Sequence, residues 1–493
     1  MFISVKFQTF LIIILLSVTI VESSPNILFI LADDLRADAV GFDGNDIVQT
    51  PIIDSLARQG VIFDSAYVTT PICAISRACI LTGQYSIRNE VGDFHTPINL
   101  RDSYPYLLQK NGYYTGFMGK WGIHAGNKKY MTKVAKSFDF WAGCYNQSNF
   151  FHEETCRWVQ HDGVRGRGNY LCDCPPDRLG RKGEEVRTGF ANMKNPIHLE
   201  TVIFPRKMEM FLQSRDKFKP FCMSISYKSP HAPFQDWDRR FKDLHSDEII
   251  PLKPTATLEA AAKQPQFLQD SLESDLMRDW LKSTTINLWY RHYYRLIAGL
   301  DFSIGKICRL LKKYGVMDNT VIIFLSDNGY FMGEHGFGGK WLLYEESIRV
   351  PCFIYDPRLP KEKRGKVSSE LVLNVDMYKT IADLAGVKVN RKIQGKSLVP
   401  LLSNPNKKLR EGSFFEHHFT LKAPHIIAQS EGYRNSDWKY IRYTEQNPIV
   451  EQLFDMQKDI LEEHNLSDNP EHQQKLNQLR SSWQRSRLKA SGK

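Results

Sequence analysis

Two residues four positions apart, Cys73 and Arg77, combine a nucleophile precursor with a guanidinium group. If a helix starts at Cys73, both side chains lie on one face of it. The first turn of a helix offers unpaired N–H groups and the positive end of its dipole, which favour an anion. This arrangement suits chemistry on a sulfate or phosphate ester. A thiolate phosphatase would need Cys and Arg six positions apart, but position 79 is Cys79.

Cys73 on its own could equally be a buried, inert thiol, so the assignment depends on other segments. The apolar run 27–32 is typical of a strand buried on both faces, and Asp33 and Asp34 follow it. Buried carboxylates are costly unless they meet a cation, and ligands bind at the carboxyl ends of strands in open α/β sheets. The alternative is that one Asp caps a helix and the other is solvated.

A second apolar run, residues 321–325, ends in the same way, with Asp327 and Asn328 after Ser326. Asp-Asn-Gly alone is an ordinary turn. Two buried strands that both deliver oxygen ligands at their carboxyl ends are less ordinary. Because the combined set contains no His, it predicts a hard cation such as Ca²⁺ or Mg²⁺ rather than Zn²⁺.

Further short segments carry Lys and His residues that could contact an anion or transfer a proton. Each such residue, taken singly, is more often exposed or hydrogen-bonded than catalytic. The segments are 119–124 with Lys120 and His124, 230–234 with His231, and 333–341 with Lys340.

Taken together and in this order, the segments from 26 to 351 resemble the type I sulfatase family of the alkaline phosphatase superfamily. Residues 73–77 are similar to its signature Cys-x-Pro-Ser-Arg, in which the Cys is oxidised to formylglycine, but Ile75 stands where the family usually has Pro. Gly122 stands where the family has a His after Trp, so His124 would have to take that role.

The resemblance implies an α/β fold, an alkaline-phosphatase-like sandwich with a large central mixed β-sheet flanked by helices. A small C-terminal subdomain with a short antiparallel sheet and a helix should follow. The expected divisions are a signal peptide at 1–23, a catalytic domain at 24–405 and the C-terminal subdomain at 406–493. Local patterns predict helices at 51–59, 104–110, 287–314 and 469–487, and strands at 113–118, 221–226, 431–443 and 451–455.

The resemblance also implies a mechanism, in which Cys73 becomes formylglycine and its gem-diol attacks sulfur with Asp327 as base. His231 protonates the departing alcohol, and His124 is the second base. Positive groups hold the sulfuryl oxygens: Ca²⁺, Arg77, Lys120 and Lys340. One Ca²⁺ per chain is expected, held by Asp33, Asp34, modified Cys73, Asp327 and Asn328. A formylglycine-generating maturation enzyme is the implied partner.

Composition favours an exported enzyme. Residues 1–23 carry Lys6, an apolar run from 10 to 18 and small residues at the end, which is typical of a signal peptide. The run is too short for a membrane span, and no later stretch reaches that length. The net charge of +10 suits a polyanionic substrate. Nucleic acid would suit it equally, but export argues against that partner, and the location is therefore predicted to be secreted or periplasmic.

The nine cysteines divide into groups. Export permits disulfides, and one or two are expected among Cys144, Cys156, Cys172 and Cys174. These lie in or beside a Gly-, Arg- and Lys-rich insertion at about 141–195, a candidate for substrate recognition. Zinc is the alternative, but paired Cys-x₂-Cys knuckles are missing. Buried thiols are predicted at Cys79, Cys222, Cys308 and Cys352.

The predicted substrate is a sulfated polysaccharide or oligosaccharide, with His417, His418 and Arg434 as candidate sugar-binding residues. Two alternatives stay open. The first is a phosphate ester or phosphonate hydrolase of the same superfamily. The second is a non-catalytic sulfated-glycan-binding relative in which Ile75 prevents oxidation of Cys73.

Overall fold

A large mixed sheet forms the centre of the fold in the computed structural model, which describes residues 24–147, 150–151, 197–281, 285–421 and 426–493. The predicted signal peptide and most of the predicted insertion lie outside these ranges. Within them the sheet has eight strands in the order β11-β2-β10-β7-β1-β6-β4-β5. Its strands are β1 Asn26–Asp33, β2 Val61–Phe63, β4 Tyr114–Lys120, β5 Phe140–Cys144, β6 Phe221–Pro230, β7 Thr320–Ser326, β10 Cys352–Tyr355 and β11 Lys366–Ser368.

Most neighbours in this sheet are parallel, and β10 runs antiparallel to both β7 and β2. Short two-stranded pairs accompany the sheet, formed by β3 Ala66–Tyr67 with β12 Val372–Leu373 and by β8 Phe331–Met332 with β9 Gly338–Gly339. The parallel centre brings the carboxyl ends of β1, β4, β6 and β7 to one edge.

Helices cover both faces of the sheet. They are α1 Pro51–Arg58, α2 Cys73–Thr82, α3 Ser86–Asn89, α4 Tyr104–Lys110, α5 Lys128–Lys136, α6 Phe204–Ser214, α7 Leu258–Ala262, α8 Gln266–Gln269, α9 Leu272–Leu281, α10 Thr285–Lys313, α11 Glu345–Ile348, α12 Asp376–Leu384 and α13 Val399–Ser403.

The alternation of side chains along β1 explains the two apolar layers. Ile27, Phe29 and Leu31 join a core that includes α2, α4 and α12, whereas the residues between them join a core with α1, α6 and α10. Because successive strand residues point to opposite faces, an uninterrupted apolar run is what a sheet covered on both sides requires.

A second, antiparallel sheet follows, with strands β13 Gly412–His417, β14 Ser430–Asn435, β15 Trp438–Tyr443 and β16 Val450–Asp455 in sequential order. One of its faces packs through Tyr440 and Leu453 on helix α14 Gln473–Ser491. The opposite face, with Ile441 and Phe454, joins the core of the main sheet. The predicted fold class is therefore confirmed.

Most predicted elements agree with the structure to within a few residues, and strand β6 extends four residues beyond the predicted 226. The predicted strand 431–443 is instead a hairpin of two antiparallel strands, β14 and β15. Among the described cysteines, Cys79, Cys222, Cys308 and Cys352 are buried free thiols as predicted. Cys144 is also a buried free thiol, so it takes part in none of the disulfides expected within its group of four cysteines. It lies at the end of β5, where its thiol donates to Asn146 O at 3.1 Å. Cys156, Cys172 and Cys174 lie outside the described residues.

No helix in the described ranges is both long enough and apolar enough to cross a membrane.

Candidate active site

Carboxylates from two adjacent strands meet at the carboxyl edge of the main sheet. Strands β1 and β7 pair in parallel, with Ala32 opposite Ser326, so Asp33 and Asp327 leave the sheet side by side. The N–H of Asp34 donates to Asp327 Oδ1 at 3.2 Å. Asp34 has a φ of 64°, in the left-handed region that a non-glycine residue adopts at a cost. The hydrogen bond to the Asp327 carboxylate thus stabilises the backbone turn at Asp34.

Helix α2 begins at Cys73 and presents Arg77 to these carboxylates. The Arg77 guanidinium is buried; its Nε donates to Asp327 Oδ2 at 2.7 Å and its Nη1 to Lys120 O at 2.7 Å. Nη1 also donates to Ser226 Oγ on β6. Burial alone would lower the pKa of Arg77, but Asp327, Asp33 and the Cys73 sulfur raise it. Arg77 therefore lies between Cys73 and the two Asp residues as a permanent cation.

Two buried lysines complete the positive side of the site. Lys120, the last residue of β4, forms an ion pair with Asp33 Oδ2. Lys340 forms an ion pair with Asp34 Oδ1. Although burial disfavours its charge, Asp34, then Cys73 and the other carboxylates, raise the pKa of Lys340. Burial alone would raise the pKa of Asp33, but Lys120 and the other nearby cations hold this pKa well below its usual range.

The oxygen atoms of this cluster fit a hard cation. Asn328 Nδ2 donates to Asp34 Oδ1 at 2.6 Å and to Gly329 O at 2.8 Å, which orients the amide. Asn328 Oδ1 and Asp33 Oδ1 are buried and accept no hydrogen bond from the described residues. Such oxygens are costly unless something positive meets them. Carboxylate and amide oxygens are the ligands that Ca²⁺ prefers.

His231 joins the same cluster, which the sequence-based metal set did not include. One potential ligand atom each from Asp33, Asp34 and His231 lie within 4.8 Å of one another. His231 Nδ1 lies 2.8 Å from Ala232 O, so this nitrogen carries the proton and Nε2 faces Asp34 Oδ2 at 3.6 Å. Burial lowers the pKa of His231, against the pull of Asp34 and Asp33. A neutral ring can later accept or relay a proton.

The carboxyl group of Asp327 has a raised pKa. Burial, followed by repulsion from Asp33, raises its pKa to about 6, although Arg77 works in the opposite direction. A carboxyl group with a pKa near the working pH can serve as a general base.

His124 is not brought into this cluster. Its backbone has a φ of 48°, and its ring packs edge-on against Tyr130 with centroids 5.2 Å apart. No contact within the described ranges joins the ring to Cys73 or Lys120. Gly122, by contrast, touches the cluster, since a Cβ built on it would lie 3.3 Å from both Arg77 Cδ and Lys120 Cε. The role of His124 as second base therefore stays a prediction without structural support.

The three residues predicted to bind sugar lie in or directly after strands β13 and β14, and their role stays a prediction. His417 is fully buried in β13, and burial lowers its pKa to about 3. Arg434 is buried and its Nε donates to Glu345 Oε1 at 2.9 Å. His418 is partly exposed and its Nε2 lies 3.1 Å from Glu431 Oε1. Arg434 and His418 are thus paired with acids of the chain itself, whereas both ring nitrogens of His417 are buried.

Lys228 is a charged residue beside the site that the sequence reasoning missed. It is buried near the end of β6, with Nζ 4.4 Å from the ring centroid of Phe150. Burial lowers its pKa to about 8, opposed by Glu200, Asp236 and Asp33. Its position two residues after Ser226, near the carboxyl end of a strand, could have indicated a role for Lys228 at the site.

Models of known protein families match the segments that carry these residues. A model of the sulfatase family, described as "Sulfatase", matches residues 25–387, and a model described as "N-sulphoglucosamine sulphohydrolase, C-terminal" matches residues 333–489. The fold and the site define an ester hydrolase of the alkaline-phosphatase-like superfamily. Within that class, the chain belongs to the sulfatase family and is a sulfuric ester hydrolase.

Several known proteins are similar over nearly the whole chain. An N-acetylglucosamine-6-O-sulfatase of Bacteroides thetaiotaomicron is 30% identical, with 92% of this chain and 85% of that protein aligned. A solved structure of a protein in complex with its substrate D-glucosamine-2-N,6-O-disulfate is 26% identical, with a TM-score of 0.73 over 95% of this chain and 98% of that chain. A phosphonate monoester hydrolase of Agrobacterium radiobacter, 22% identical with a TM-score of 0.75 over 94% and 96%, shares the fold.

Proposed function

We propose that this sulfatase removes sulfate from a sulfated carbohydrate by means of a formylglycine formed at Cys73 and a bound Ca²⁺. The observation that carries the proposal is that Arg77, one turn after Cys73 on α2, pairs with Asp327, while Lys120 and Lys340 pair with Asp33 and Asp34. A helix N-terminus and buried cations favour an anionic ester at that point.

Cys73 is the proposed position of the modified nucleophile. It is the first residue of α2 and is only 5% exposed. Formylglycine at this position would supply an aldehyde hydrate, whose hydroxyl group can attack sulfur. The maturation enzyme that oxidises the Cys is the proposed partner, and the Ile75 variation in the signature is compatible with the folded helix.

Ca²⁺ would be held by Asp33, Asp34, Asp327 and Asn328, with Cys73 contributing after modification. When bound it would supply positive charge to a sulfuryl oxygen. The support comes from the buried oxygens Asp33 Oδ1 and Asn328 Oδ1, which accept no hydrogen bond from the described residues. His231 lies close enough to be a further ligand or a proton donor.

The proposed roles of the remaining residues follow from their positions. Arg77, Lys120 and Lys340 hold and neutralise the sulfuryl oxygens, because their charges are buried and fixed by ion pairs before a substrate arrives. Asp327 accepts a proton from the attacking hydroxyl. His231 donates a proton to the departing sugar oxygen from its partly exposed Nε2 side once that nitrogen is protonated.

The carbohydrate substrate is supported by the relatives and by charge. A relative 30% identical acts on N-acetylglucosamine 6-sulfate by its name, and the net charge of +10 favours a polyanion. The predicted signal peptide supports a secreted or periplasmic location, where sulfated polysaccharides are met.

Two measurements test the proposal. The purified protein should release sulfate from glucosamine 6-sulfate and from an aryl sulfate at a much higher kcat/KM than it releases phosphate from the matching aryl phosphate. Mass spectrometry of the tryptic peptide 59–77 should show Cys73 converted to formylglycine, and activity should scale with the converted fraction. Full desulfation by a protein with unmodified Cys73 would refute the mechanism. Faster hydrolysis of the phosphate would refute the assignment to sulfate.

A further inference from the structure

A basic surface pocket lies far from the catalytic cluster. It has a volume of about 340 Å³ and is lined by residues of α3, α12, α14 and the segment 389–394. Gln394 N donates to the carbonyl of Gly83 at 2.8 Å, and Gly83 ends helix α2. Because α2 has ten residues and begins at Cys73, its two ends are about 15 Å apart. The pocket is therefore a separate feature and not the mouth of the catalytic site.

The charged groups of this pocket are all positive. They are Arg88, Lys379, Arg391, Lys392 and Lys489. Two of them are neutralised, since Lys379 pairs with Asp383 and Arg391 Nη1 lies 3.2 Å from Asp102 Oδ1.

Three of the cations lack an acidic partner. Arg88, Lys392 and Lys489 are exposed and form no ion pair with any acid in the described part of the chain. Arg88 lies against the last turn of α14, where a Cβ on Gly492 would meet its Cζ at 2.9 Å. The negative end of that helix offsets part of the charge of Arg88 and of Lys489, which lies in its last turn, and Lys392 has no such compensation.

The pocket also has an apolar component. Val389 and Ile393 line it and pack partly on the main core. Gln394 Nε2 is committed to the carbonyls of Lys489 and Ala490 at 2.9 and 2.6 Å, which ties the segment to the end of α14. A rigid apolar floor beneath unpaired cations suits a ligand with both a carbon face and negative groups. A sulfated sugar has this combination, and a bare inorganic anion does not.

We propose that this pocket, formed around Arg88, Lys392 and Lys489, is a second binding site for a segment of a sulfated polysaccharide. The choice of a sulfated glycan rests on the proposed function, whereas a polyanion site as such rests only on the pocket. Binding there would hold a long substrate on the enzyme while its ends or branches reach Cys73. This second contact should raise the affinity for polymers and not for small sulfate esters, because one small ester cannot occupy both sites.

The test measures binding without turnover. The full chain carrying Cys73→Ala is titrated with a short dextran sulfate by calorimetry at two salt concentrations. Adding Arg88→Ser, Lys392→Ser and Lys489→Ser should weaken binding about tenfold and reduce its salt dependence, because exposed charge contacts are each worth up to ~1 kcal/mol. A matched control with Lys217→Ser, Lys312→Ser and Lys361→Ser removes the same charge from exposed positions elsewhere and should bind like the parent.

Kinetics of the otherwise unaltered enzyme give a second readout. The triple pocket variant should keep its kcat/KM on an aryl sulfate and show a raised KM on the polysaccharide. Undiminished dextran sulfate binding by this variant, or an equal loss in the control, would overturn the site. Tighter binding of a single-stranded oligonucleotide than of dextran sulfate would overturn the glycan assignment. If the parent hydrolysed no sulfate ester, the proposed function would be wrong. The calorimetric titration would still show whether the pocket binds a polyanion.

Discussion

Replacing Lys340 with Met should make the protein bind Ca²⁺ more tightly, even though it should lower turnover. Lys340 Nζ forms an ion pair with Asp34 Oδ1, and Asp34 is one of the proposed calcium ligands. The ammonium and a bound cation therefore compete for the same oxygen. Removal of the ammonium leaves Asp34 with the amide of Asn328 as its remaining side-chain donor on that oxygen.

The size of the effect follows from the burial of the pair, in which Lys340 is 8% and Asp34 1% exposed. Removing one partner of a buried ion pair costs about 3–5 kcal/mol. If this cost falls wholly on the calcium-free protein, the affinity for Ca²⁺ rises by at most about 4 × 10³-fold. Because Asp34 keeps one hydrogen bond and neighbouring cations remain, a rise of about tenfold or more is the expected result.

Calorimetric titration of Ca²⁺ into chelator-treated protein measures this affinity directly and does not depend on formylglycine. The matched control is Lys253→Met, which removes an equal charge from a lysine paired with Asp38 at 2.9 Å in the neighbouring loop. The control should bind Ca²⁺ like the parent. Weaker or unchanged binding by Lys340→Met would refute the view that the lysine and the cation share Asp34.

Further predictions concern folding, pH and maturation. Arg77→Ala should lower kcat by at least about 10²-fold and also lower Tm, because Asp327 Oδ2 and Lys120 O lose buried donors; an unchanged Tm in thermal denaturation would contradict this. Burial raises the pKa of Asp301 to about 7, so the folded chain binds more protons and the free energy of unfolding falls as pH rises from about 4 to about 7. Asp301→Asn should therefore stabilise the protein at pH 8, by at most about 4 kcal/mol, and hardly at pH 4; denaturant unfolding that shows it less stable than the parent at pH 8 would disprove the sign. Ile75→Pro should raise the converted fraction of Cys73 without unfolding α2, because the first helical hydrogen bond is Ser76 N to Ile72 O and Ile75 donates none; mass spectrometry and Tm check both parts.

The parts of the site carried by strand ends could be predicted from local sequence. The apolar runs before Asp33 and Asp327 are uninterrupted because both faces of the sheet are covered. A parallel sheet then brings their carboxyl ends to one edge. The four-residue spacing of Cys73 and Arg77 put both on one face only on condition that a helix starts at Cys73, and α2 does start there.

Features set by long-range packing could not be read in this way. The antiparallel insertion of β10 between β7 and β2 depends on pairing between residues nearly 300 positions apart. The burial of His417 depends on the pairing of β13 with β14 and on its packing against the main body. The position of Lys228 beside Phe150 depends on a segment that begins the insertion. In each of these cases tertiary contacts, and not the local sequence, determine the outcome.

The charges of the cluster explain why a cation and an anionic substrate should bind together. The carboxylates Asp33, Asp34 and Asp327 are matched by the cations Arg77, Lys120 and Lys340. Net charge in a buried site is costly, so this balance stabilises the fold on its own. A divalent cation adds positive charge to a neutral interior, and a sulfate ester then offsets that charge. Because such coupling is reciprocal, each ligand should raise the affinity of the protein for the other, and the lysines freed from their carboxylates are the groups left to contact the ester.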